Sequence, residues 1–249
     1  HFPPDQSSER MTMATPALEI SNLHAWYGES HILHGINLSV QPGQVVTLLG
    51  RNGAGRTTTL RAVLGLTGAR KGSIKVHGEE TIHLPTHRIA QLGIGYCPEE
   101  RGIFASLTAE ENLRLPPPLK SRRGKAMSEA DIYAMFPNLA ERRHSPGTRL
   151  SGGEQQMLGV ARILRTGADI LLLDEISEGL APVIVQALAR MIRELKKQGF
   201  TILMVEQNFR FAAPLADHFV VIEHGEVVLS FPAADLPAHQ ARLDELLSV

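Results

Sequence analysis

The stretch that most constrains this chain is Val45-Val46-Thr47-Leu48-Leu49, which runs into Gly50-Arg51-Asn52-Gly53-Ala54-Gly55-Arg56-Thr57 and then into Thr58-Thr59-Leu60-Arg61-Ala62-Val63. A continuous, mostly apolar run of this kind reads as a strand buried on both faces, and the residues after the glycines read as a helix. Glycine lets the chain turn sharply between the two, because it adopts backbone conformations closed to other residues. The same turn gathers N–H groups at a helix N-terminus, where phosphate oxygens bind. Alone, such a loop serves equally as a tight structural turn. Its lysine position, moreover, holds Arg56.

A length of 249 residues supports one large domain or two small ones with a core that needs no staples. With 43% hydrophobic and 20% charged residues and a net charge of -1, the composition is that of a soluble globular protein and carries no nucleic-acid footprint. The single cysteine, Cys97, excludes an internal disulfide, fits a reducing compartment and reads as a small core filler. Apolar runs such as Ile170–Leu173 fall far short of the roughly 18 residues that cross a bilayer. Residues 1–13 read as an upstream extension or cloning remnant, and residues 14–249 as one domain.

Between Leu18 and Val46, "LEISNLHAWYG" and "HILHGINLSV" read as strands and "QPGQ" as a turn into the next; "GSIKVHG" adds another strand. From about residue 107 to 150 the grammar becomes helical: Thr108 and Glu111 form a capping box, "PPP" at 116–118 breaks the chain, "KSRRGK" at 120–125 is a solvated basic loop, and "SEADIYAMF" resumes a helix. "DILLLD" is then a buried strand, and Pro182 opens a helix whose stripe of Ile184, Val185, Leu188, Met191, Ile192 and Leu195 runs to Gly199. "TILMV" follows as another buried strand. Strand, helix, strand in this order implies a right-handed crossover and a mainly parallel sheet, an α/β fold.

Three sites carry chemistry. Thr57 is placed to hold Mg²⁺ beside phosphates bound at the loop. Asp174, at the carboxyl end of a buried parallel strand, reaches the same ion, and Glu175 beside it can act as general base; as a bare pair, the two carboxylates read more simply as caps of the next helix. In "LSGGEQQ", Ser151, Gly152 and Gly153 open a helix with N–H donors and a hydroxyl facing an anion, and nothing structural in the sequence explains the adjacent glycines.

The order of glycine-rich loop, "LSGGEQQ" and "LLLDE" resembles the ATP-binding-cassette (ABC) ATPases from about Leu18 to the C-terminal tail. The resemblance implies a P-loop NTPase (RecA-like) core with a mainly parallel sheet flanked by helices, an N-terminal antiparallel β subdomain and an inserted α-helical subdomain. It implies that Tyr27 stacks on adenine, that Arg51, Asn52, Gly53, Ala54, Gly55, Arg56, Thr57 and Thr58 cradle ATP, and that Thr57 and Asp174 hold Mg²⁺. Glu175 then polarises water, with Glu99 and Gln207 near the γ-phosphate. It further implies two subunits bound head to tail, with Ser151, Gly152 and Gly153 serving the partner's nucleotide and "SEGLAP" at 177–182 crossing the interface.

Within that family, "YCPEERGIFASLTAEENL", "LSGGEQQML", "EGLAP" and "VEQN" resemble an ATP-binding subunit of the bacterial branched-chain amino-acid importers, a branch whose members also serve amides or urea. That implies a second ATPase subunit as partner, membrane permease subunits, an indirect solute-binding protein, and a place on the cytoplasmic face of the cell membrane; the sequence leaves the dimer homomeric or heteromeric, and a heterodimer with unequal sites would tolerate this chain's unusual residues. Four positions depart from the general family pattern: Arg56 for lysine, Glu99 for glutamine, Gln207 for histidine and Ile176 for proline. Arginine keeps the charge but is planar and bulkier, so binding is expected to survive better than turnover. The rival expectation is a regulatory subunit that holds ATP without consuming it.

Overall fold

Strand pairing in the computed structural model, which describes residues 14–119 and 126–248, divides the chain into two sheets. The expectations for residues 1–13 and for the basic run at 120–125 lie outside the described residues. The first sheet is antiparallel, in the order β2 (Ser30–Val40), β1 (Leu18–Tyr27), β4 (Arg70–Val76), β5 (Glu79–Glu80). On β1, Leu18, Ile20, Leu23 and Ala25 are buried; the alternation slips between Ile20 and Leu23, where Asn22 takes φ 47 and the register shifts as in a bulge.

The second sheet is six-stranded, in the order β10 (Glu226–Pro232), β9 (His218–Glu223), β3 (Val45–Leu49), β8 (Thr201–Val205), β7 (Ile170–Asp174), β6 (Ile94–Cys97). All its pairings are parallel except the β9–β10 hairpin. Every residue of β3, β7 and β8 is buried, which is why these segments read as continuous rather than alternating apolar runs. The period of two still sorts them. Val46, Leu48, Ile170, Leu172, Leu203 and Val205 face a core shared with the first sheet, whereas Val45, Leu171, Leu173, Ile202 and Met204 face a second core under the helices.

Helix α1 (Arg56–Val63) follows β3 and packs between the sheets; α2 (Thr86–Ala90) precedes β6. Short helices α3 (Ala109–Arg114), α4 (Glu129–Met135) and α5 (Pro137–Glu141) gather on α6 (Gly152–Arg165). The Thr108–Glu111 capping box forms at the start of α3, and Ser128 caps α4. Helix α7 (Pro182–Lys197) buries Leu188, Met191, Ile192 and Leu195 of the predicted stripe and ends before Gly199, at φ 89. Helices α8 (Phe209–Ala212) and α9 (Leu236–Leu247) complete the fold; Leu243 and Leu246 of α9 pack near Leu49 and Phe219. The α/β class and both sheets match the reading of the sequence. Among the described residues no helix is long and apolar enough to cross a membrane.

Candidate functional site

The loop after β3 delivers α1 with its N-terminus open. Gly53 (φ 81) and Gly55 (φ 109) take left-handed conformations, and at Gly53 a side chain would meet only open space, so backbone conformation rather than crowding calls for glycine there. Side chains of Thr108, Ser128 and Ser151 cap α3, α4 and α6, but no side chain caps α1. The first-turn N–H groups of Arg56, Thr57 and Thr58 thus have no carbonyl within their own helix, and the helix dipole adds positive potential there.

Two carboxylates meet this helix start from the tip of β7. Thr57 Oγ1 donates to Asp174 Oδ1 at 3.2 Å. Burial pushes the Asp174 carboxyl upward, opposed by the Thr57 hydrogen bond. Glu175 sits at φ 48, a strained value for a glutamate and one that aims it back over the loop; its N–H bonds the Val205 carbonyl at 2.8 Å. Burial raises its carboxyl too, Arg56 working against the shift and Glu99 and Asp174 adding to it. Thr57 and Asp174 offer two hard oxygen donors, and among the described residues no three His, Cys, Asp or Glu side chains form a metal cluster. That donor set suits Mg²⁺, which takes its remaining ligands from phosphate and water.

Arg56 does not stand free in the loop. Its side chain is 5% exposed: Nη2 pairs with Glu175 Oε1 at 3.0 Å and Nη1 donates to the backbone carbonyl of Glu206 at 2.9 Å, with Asn52 Oδ1 3.4 Å from Nη2.

Tyr27, Asn52, Gly53, Gly55, Arg56, Thr57, Thr58, Glu99, Glu175 and Gln207 line one cavity of about 530 Å³. The half-exposed Tyr27 ring is tied to α1, its hydroxyl accepting from Arg61 Nε at 3.0 Å. Two expected cradle residues stand apart from it. Arg51 donates to the Ser248 carbonyl near the C-terminus, and the Ala54 N–H is taken by the Arg51 carbonyl at 3.1 Å. Neither residue lines the cavity. Ile176 fills the usual proline position as a fully buried core residue under α7.

Ser151, Gly152 and Gly153 do not line this cavity. Ser151 Oγ accepts from the Glu154 N–H at 3.1 Å and Glu154 returns the bond at 2.9 Å, a capping box legible in "SGGE" that the sequence reading passed over. Nor are the glycines without a structural reason, as expected above. A Cβ at Gly153 would lie 2.1 Å from Ile184 Cγ2, and one at Gly152 would press on Leu180 and Arg101 at 3.0 and 3.1 Å. They allow α6 to approach the start of α7.

Two further carboxylates went unread. Glu178 lines the cavity. Glu206 is buried at the end of β8, where Oε2 accepts from Ser177 Oγ at 2.8 Å and Oε1 has no partner among the described residues; burial pushes this carboxyl up to about 7. The available signal was an acidic residue directly after a buried strand, "TILMVE", repeating the form of "ILLLDE".

Residues 33–178 match the model of a family described as ABC transporter. A high-affinity branched-chain amino acid transport ATP-binding protein of Pseudomonas aeruginosa is 38% identical over 219 residues, spanning 88% of this chain and 94% of that protein. A lipopolysaccharide export system ATP-binding protein of Haemophilus influenzae is 33% identical, over 85% of this chain and 88% of that one. The crystal structure of a nucleotide-free ATP-binding cassette from an ABC transporter superposes with a TM-score of 0.81 at 21% identity, covering 94% of this chain and 98% of that one, a likeness of fold. The chain thus belongs to the ABC transporter family, as an ATP-binding subunit whose ATP hydrolysis is coupled to transport.

Proposed function

We propose that the subunit powers import of branched-chain amino acids or related small polar solutes such as amides or urea. The observation carrying the nucleotide site is the Thr57–Asp174 contact, which brings the open start of α1 within hydrogen-bond reach of the acidic tip of β7. The first-turn N–H groups bind the phosphates, Tyr27 stacks on adenine, and Thr57 and Asp174 hold Mg²⁺, whose charge offsets that of the phosphates. Glu175 orients and deprotonates the attacking water, with Glu99 and Gln207 at the same cavity. The import reading rests on the 38% identity to the Pseudomonas protein and on "EGLAP" and "VEQN"; the export relative at 33% represents a competing cargo class.

The partners in this reading are a second, different ATPase subunit, permease subunits and, through them, a solute-binding protein, with the ATPase on the cytoplasmic face of the membrane. A sister subunit of ordinary sequence compensates for Arg56, Glu99 and Gln207, and Ser151, Gly152 and Gly153 face its nucleotide. The same reading takes residues from about 107 to 150 as a helical subdomain inserted in a single ATPase domain of residues 14–249. Purified with its membrane permease subunits and reconstituted in vesicles, the protein is expected to drive MgATP-dependent uptake of leucine or a related solute. Glu175→Gln is expected to abolish turnover while nucleotide stays bound. Equal activity in the variant would remove Glu175 from the mechanism, and ATP-driven export without uptake would overturn the import reading.

A further inference from the structure

Arg56 carries more than the charge of the missing lysine. Among the described residues lining the cavity it is the one cation, facing Glu99, Glu175 and Glu178. Its head is enclosed, 5% exposed, against a Glu175 side chain that is 10% exposed. Nη1 is held by the Glu206 carbonyl at the end of β8, and Nη2 by Glu175 at the end of β7. A phosphate arriving at the start of α1 therefore meets a guanidinium already bound to the carboxylate that the reaction needs. The Glu175 oxygen that accepts from Arg56 is held toward α1 and is not free to accept from a water.

Resting on the nucleotide reading above, we infer that Arg56 is a positioning residue with two rival partners: Glu175 and a nucleotide phosphate compete for its guanidinium, so Glu175 is released to act on water only when a phosphate draws the arginine away. The device belongs to arginine at this position, whose fork reaches two strand ends at once. Its signature is that weakening the Arg56–Glu175 contact tightens nucleotide binding.

The test is calorimetric titration of the full chain with ADP in EDTA, which leaves hydrolysis and metal out of the readout. Glu175→Asp keeps the charge but withdraws the carboxylate from Arg56, and aspartate tolerates the positive φ at this position better than glutamate does. Glu175→Gln removes the charge in place. Glu178→Gln removes an equal charge from the same cavity without touching Arg56. Thermal denaturation establishes that each variant is folded. Competition predicts that Glu175→Asp and Glu175→Gln each tighten ADP binding by about fivefold or more and Glu178→Gln by less than about twofold, since about 1.4 kcal/mol corresponds to tenfold. Unchanged affinity in Glu175→Asp overturns the inference whatever Glu175→Gln does, because relief of charge repulsion then suffices. ADP binding by the variants but not by the unaltered chain supports it strongly. Absence of binding in all four proteins overturns the nucleotide reading itself, and this inference with it.

Discussion

Arg56 and Glu206 are two buried charged residues whose surroundings shape this site. Arg56→Lys keeps a cation at the loop but shortens it and leaves a single head, so contact with both strand ends is lost. Turnover is expected to change by less than about tenfold, about 1.4 kcal/mol of transition-state stabilisation. A gain of about a hundredfold or more, read by phosphate release, would instead favour a regulatory subunit that holds ATP unconsumed. Glu206 makes a prediction about stability. Its carboxyl lies near 7 when folded against an ordinary value of 4.5, so the folded state binds the proton more tightly than the unfolded state does. Its contribution is fully present below about 4.5 and is lost as pH rises through about 7. Denaturant titrations from pH 5 to 8 should show stability falling with pH, and Glu206→Gln should flatten that fall. Asp174 and Glu175 are raised as well, so part of the slope will persist. An unchanged slope in the variant would mean that Glu206 titrates normally.

At the level of elements, what was legible followed from short-range chemistry. The strand, glycine loop and helix from Val45 to Val63 could be read because a buried parallel strand must be apolar throughout and the turn after it needs glycine. The Thr108–Glu111 box and the α7 stripe were legible for the same local reasons. Gly153 was not. Its constraint comes from Ile184, a residue of another helix that only packing brings near. Glu206 was half-legible: "TILMVE" sets an acidic residue directly after a buried strand, but only packing shows that its side chain is buried. The packing account predicts that Gly153→Val, whose Cβ would lie 2.1 Å from Ile184 Cγ2, costs about 1–3 kcal/mol through overpacking between α6 and α7. In a chain of this size that lowers the melting temperature by roughly 2–4 °C per kcal/mol. The pair Gly153→Val with Ile184→Ala should recover most of the loss, and no recovery would place the strain elsewhere.

Across the whole molecule, two parts of the chain far apart in sequence make one site only because β3 and β7 flank β8 in the parallel sheet. Their carboxyl ends then lie along the same edge of the sheet, and Thr57, at the start of α1, comes within 3.2 Å of Asp174. The sequence motifs named these residues, and the strand order explains why they meet. Ser151, Gly152 and Gly153 stay outside the cavity of their own subunit, which supports the head-to-tail reading in which they serve a partner. The central claim is that one adenine nucleotide is held at the start of α1, and calorimetric titration of the purified chain with ATP and Mg²⁺ tests it most directly. The account predicts a saturable heat with one nucleotide per chain, weakened about tenfold or more in Asp174→Asn when Mg²⁺ is present and little changed in EDTA. A titration with no saturable heat, in the chain alone and with its sister subunit, would contradict it.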